Sequence, residues 1–85
     1  MLFKKRLHVS VRAMDKEIAR RVSESVLNAS EELGRSVGFV RDNCSEAELL
    51  AYADVISKVM HDLWVRVLKP IYVEHPDLEP PELKP

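Results

Sequence analysis

All five prolines of this 85-residue chain lie at Pro70 or beyond, so residues 1–69 contain nothing that removes a helical hydrogen bond. Inside that stretch, Ser45-Glu-Ala-Glu48 reads as a capping box. The serine hydroxyl is placed to accept the amide three residues on, and the glutamate carboxylate to accept the serine amide in return. Leu49, Ala53, Ile56, Met60, Leu63 and Val67 follow in alternating steps of four and three, the spacing of an apolar seam on a helix that packs against other helices. Pro70 disfavours helical geometry at the residue before it. The spacing therefore predicts a helix over about 45–69, roughly 37 Å long at 1.5 Å per residue.

A second helix is predicted upstream, over about 13–33. Met14, Ile18, Val22, Val26, Ala29 and Leu33 recur along one face, with Lys16, Glu17, Arg20, Arg21, Glu24, Asn28 and Glu31 around the rest. Gly34 suits the residue just past a helix end, where a left-handed backbone costs glycine nothing. Residues 34–44 then form the connection. Eleven residues is long for a helical hairpin, and Val37, Phe39 and Val40 are too apolar to hang in water. Either the first helix continues toward Gly38 or the segment folds back over the end of the bundle. Cys44 and Leu49 occupy the two positions of a hydrophobic staple around the Ser45 cap.

The ends differ in character. Leu7, Val9 and Val11 alternate with His8, Ser10 and Arg12, which favours a short extended arm over residues 2–12, although Phe3, Leu7, Val11, Met14 and Ile18 also fit a helix. Residues 73–85 combine prolines with acids and predict an extended tail. The expected architecture is all-α, with residues 1–72 as one helical domain built on a hairpin. A chain this short buries only about 60–65% of its unfolded surface. One cysteine allows no internal disulfide and three scattered histidines offer no metal cluster, so dimerisation into a four-helix bundle is the remaining remedy.

The width of the apolar face carries the functional reading. Tyr52, Val55, Val59, Trp64, Val65, Leu68 and Ile71 add a second stripe that one partner helix leaves uncovered. The expected interface is Leu49, Tyr52, Ala53, Ile56, Val59, Met60, Leu63, Trp64 and Val67, shared between two copies or with another protein. The alternative is a nucleic-acid-associated regulator that uses Lys4, Lys5, Arg6 and Arg12. Its basic run is short, and a net charge of −1 is unlike a dedicated nucleic-acid binder.

No catalytic constellation is visible. His61 and Asp62 are adjacent and so do not share a helix face. Asp54, Lys58 and His61 read as a solvated stripe, Cys44 as packing rather than a reactive thiol, and Gly34-Arg-Ser-Val-Gly38 lacks the pattern of a phosphate loop. No cofactor and no enzymatic activity are expected. The opening Met1–Arg6 has the basic residues of a secretory signal without its apolar core, and no stretch has membrane-spanning length. With a single thiol, the expected location is the cytoplasm. Ser45→Ala removes the hydroxyl that satisfies an orphan amide, so it should cost about 0.5–2 kcal/mol, read as a lower midpoint in chemical denaturation.

Overall fold

The structure, a computed structural model, describes residues 14–83. The expected extended arm over residues 2–12 lies outside them. Helix α1 (Lys16–Asn43) and helix α2 (Glu46–Leu63) form the hairpin. A π-helical turn (Trp64–Leu68), a short helix α3 (Lys69–Glu74) and two 3-10 turns (Pro76–Leu78 and Pro81–Leu83) follow. No strand occurs among the described residues, and the fold is an all-α helical hairpin.

Helix α1 opens at Asp15, whose side chain accepts the Ile18 amide at 3.1 Å. It does not stop at Gly34. The segment expected to be a loop over 34–44 is helical through Asn43, and neither glycine has a positive φ. A glycine inside a helix costs only about 0.5–1 kcal/mol relative to alanine, too little to end a helix whose remaining residues favour it. The actual end is set by the next helix. Cys44 is extended (φ −130°, ψ 173°) and donates its amide to the Val40 carbonyl at 2.9 Å. Ser45, equally extended, caps α2: the Glu48 amide donates to Ser45 Oγ at 3.1 Å and the Ser45 amide to Glu48 Oε1 at 2.8 Å. Two residues therefore make the whole turn, within the range of helical hairpins.

The second helix also passes the residue expected to end it. Pro70 has no amide hydrogen, and in regular α-helix its ring presses on the carbonyl four residues back. The turn just upstream widens instead, and the Lys69 amide donates to the Trp64 carbonyl, five residues back. Such single π-turns absorb an irregularity without ending the helix. The continuation is favoured by what it buries. Leu68, Ile71 and Tyr72 are at most 5% exposed. Burying three large side chains contributes roughly 1.5–3 kcal/mol apiece, more than the ~3 kcal/mol a helical proline costs.

These three residues meet Ala19 in the core, with Met14, Val22, Val26, Leu27, Trp64, Val67 and Leu78 packed around them. The buried face of α1 is thus rotated from the one its largest residues predict. Ala19 and Ser23 are buried, whereas Ile18 is 51% exposed and Ala29 exposed. Small residues here allow close approach, and Ser23 satisfies its hydroxyl locally by donating to the Arg20 carbonyl at 3.0 Å. Trp64 and Tyr72 stack at an angle of 51° with centroids 6.0 Å apart.

The tail is not extended. It turns twice, each time at a proline whose fixed φ suits the first position of a turn. His75 donates its Nε2 hydrogen to the Met14 carbonyl at 3.1 Å, Asp77 pairs with Lys16, and Leu78 packs on the core. Ile71 is 0% exposed, so Ile71→Ala should cost about 2–5 kcal/mol in chemical denaturation. Val65→Ala, six residues earlier at a 43% exposed position, should change stability by no more than about 0.5 kcal/mol.

Candidate interaction surface

The predicted seam is used largely within its own chain. Ile56 is buried, while Leu49, Tyr52, Ala53, Met60, Leu63, Trp64 and Val67 are half-buried. Trp64 and Val67 pack against the core cluster, and Met60 lines a groove with Leu27 and the tail. Of the nine residues, only Val59, at 42%, is exposed.

One hydrogen bond defines the sides of the hairpin. Ser36 Oγ, which donates to the Leu33 carbonyl, lies 2.8 Å from the Tyr52 hydroxyl, joining the two helices across one flank. Val55 and Val59, three and seven residues after Tyr52, project to the same side. On α1, Ala29, Leu33 and Val40 stand in the same relation to Ser36. Val55 is 55% and Val59 42% exposed and Ala29 is exposed, whereas Leu33, Val40 and Tyr52 are half-buried. Val55 is the site residue that periodicity undervalued. Its signal was the second stripe, but a position between two stripes does not reveal which of them the first helix covers.

The other flank carries a groove of about 350 Å³ lined by Leu27, Ser30, Glu31, Met60, Pro80, Glu82 and Leu83. The tail forms one wall. Near the hairpin turn, Phe39 is 70% and Leu50 62% exposed, against the expectation that Phe39 would be covered. The chain continues as helix there, and helical geometry points Phe39 away from α2. Cys44 is likewise exposed rather than packed in a staple.

The charge is unevenly distributed. All 14 acids but only 8 of the 13 basic residues lie among the described residues. Lys4, Lys5, Arg6 and Arg12, the expected anion contacts, lie outside them. The ion pairs are mostly local and exposed: Arg20 with Glu17 and Glu24, Arg35 with Glu32, Lys58 with Asp54 and Arg66 with Asp62. Solvent screens such pairs, so each contributes little to stability. No group of three or more His, Cys, Asp or Glu side chains that could hold a metal occurs among the described residues, and no described helix is long and apolar enough to cross a membrane.

One polar group stands out in the core. The Tyr72 hydroxyl is buried with no hydrogen bond of good geometry among the described residues, and the neighbouring Ser23 hydroxyl, which donates to the Arg20 carbonyl, keeps lone pairs that face it as a weak acceptor. Burial, and then the negative charge of Glu79, push its phenol above the ordinary value of 10.0, a change that Ser23 partly opposes.

Compared with known proteins, the chain matches no family model, no curated protein and no solved structure.

The contact between tail and α1 is open to titration. The hydrogen bond from Lys16 holds the Asp77 carboxyl below its ordinary 3.8. A carboxylate depressed in the folded state contributes stability that is complete above its unfolded value and is lost as pH falls through the folded one. Stability should therefore drop below about pH 3.8, and Asp77→Asn should flatten that part of the curve, measured as denaturation midpoint against pH.

Proposed function

We propose that this chain is a small non-catalytic interaction protein that works as a homodimer, with the Tyr52–Val55–Val59 flank as its principal contact. The observation that carries this reading is the exposure of Val55 and Val59, at 55% and 42%, on the same side as Tyr52. Surface hydrophobics scattered singly need no explanation, but an apolar row spanning two packed helices does. Two hairpins placed flank to flank make a four-helix bundle, each supplying the neighbour that the other's row lacks.

Size supports association as well. Among the described residues five apolar side chains are buried, and small domains gain stability from oligomers. In an isologous contact each copy presents the same patch, so Ala29 and Leu33 of one hairpin would meet Val55 and Val59 of the other. A net charge of −1 is unlike a dedicated polyanion binder, so the nucleic-acid reading stands second. A reducing compartment such as the cytoplasm suits the exposed thiol of Cys44.

Sedimentation equilibrium tests the proposal. The full chain should sediment at twice its monomer mass at micromolar concentration, and Val55→Asp/Val59→Asp should give a monomer with unchanged helical circular dichroism. A monomeric parent refutes the dimer. A double variant that stays dimeric moves the contact to another face.

A further inference from the structure

The flank opposite Tyr52 combines two features that point to a different occupant. The floor of its groove is apolar, built from Leu27 and Met60 of the hairpin and Pro80 and Leu83 of the tail. Its rims carry carboxylates, Glu31 on α1 and Glu82 on the last 3-10 turn, and neither makes an ion pair among the described residues. Arg35 is near enough to feel the charge of Glu31, yet its guanidinium donates to Glu32 at 2.8 Å. One turn beyond Ser30, Gly34 has open space on the side where a Cβ would sit.

We propose that this groove receives a basic amphipathic segment of a partner protein, one that presents a large apolar side chain between lysines or arginines. A volume of about 350 Å³ is at the lower end of ligand pockets and suits one or two large side chains. The apolar residue seats on Leu27 and Met60, while cations on either side reach Glu31 and Glu82. Charge complementarity is local to the groove, because the chain as a whole carries a net charge of only −1. The two carboxylates at the groove attract a cationic segment there and disfavour an anionic one. A small metabolite fits less well, since the lining offers few polar groups to orient one: Ser30 and the two exposed carboxylates. This assignment is independent of the Tyr52 flank and stands whether or not that flank dimerises.

The probe is a short fluorescent peptide in which leucine and phenylalanine are interleaved with lysine and arginine, titrated into the full chain and followed by anisotropy. The parent should bind it, and the same peptide with its apolar residues replaced by serine should not bind. Glu31→Gln/Glu82→Gln changes two exposed side chains that the fold does not use, and it should weaken binding about tenfold. Leu27→Lys should abolish it. The proposal is overturned if the parent fails to bind, or if all variants and both peptides bind alike, which would mark a general attraction to acidic surface. It is also overturned if Leu27→Lys dissociates a dimer, because a second copy would then own the groove. Tighter peptide binding by Lys4→Gln/Lys5→Gln/Arg6→Gln would give the groove to the chain's own basic residues and exclude the partner assignment.

Discussion

The second helix continues past Pro70, and the rest of the molecule depends on how it does so. A proline in mid-helix removes one hydrogen bond and crowds the preceding turn. Here the turn over Trp64–Leu68 takes up one extra residue, and the Lys69 amide reaches back five residues to Trp64. That shift rotates everything downstream relative to the seam above it. Leu68, Ile71 and Tyr72 come to face Ala19, and the chain reaches His75 close enough to Met14 for a hydrogen bond. Had the helix ended at Lys69, neither Ile71 nor Tyr72 would have a fixed place, and α1 would have little to bury its first turns against.

Legibility in the sequence followed locality. Ser45 and Glu48 carry their whole meaning in four residues, and the reciprocal hydrogen bonds of the capping box are both present. Ile56, at the middle of the seam, is buried as the spacing predicts. The errors arise where a local preference is weak against its surroundings. Gly34 suits a helix end because glycine favours such positions, but the preference is about 1 kcal/mol and the helix overrides it. Pro70 opposes a helix more strongly, yet the burial of Leu68, Ile71 and Tyr72 against Ala19, far away in sequence, outweighs it. The rotation of α1 toward Ala19 and Ser23 was hidden for a related cause. Small residues leave only a faint periodic signal, yet they are what a bulky Tyr72 on the other helix needs.

The tail shows the same principle from the opposite side. Its composition, proline with acid, is that of a segment with too little apolar surface to fold alone. It does not have to fold alone. Leu78 finds the core, Asp77 finds Lys16, and each proline supplies a turn at little entropic cost because its φ is already restricted. An exposed ion pair contributes little, so the apolar contact of Leu78 is the principal anchor and Asp77 adds orientation.

The hairpin thus has two unlike flanks, and the tail is what makes them differ. Where the tail crosses, Leu27 and Met60 are partly covered and carboxylates rim the remaining groove. Where it does not, Tyr52 closes a hydrogen bond to Ser36 and leaves Val55 and Val59 in water. The charges near that row are paired within their own helices, Arg66 with Asp62 and Arg35 with Glu32, so they set less repulsion against a second copy. A groove bearing like charges does the opposite: brought against its own copy it would set Glu31 and Glu82 near their equivalents, at a repulsive cost. The same side chains that disfavour self-association on that flank favour a cationic partner, so the division between the two surfaces follows from charge as much as from shape.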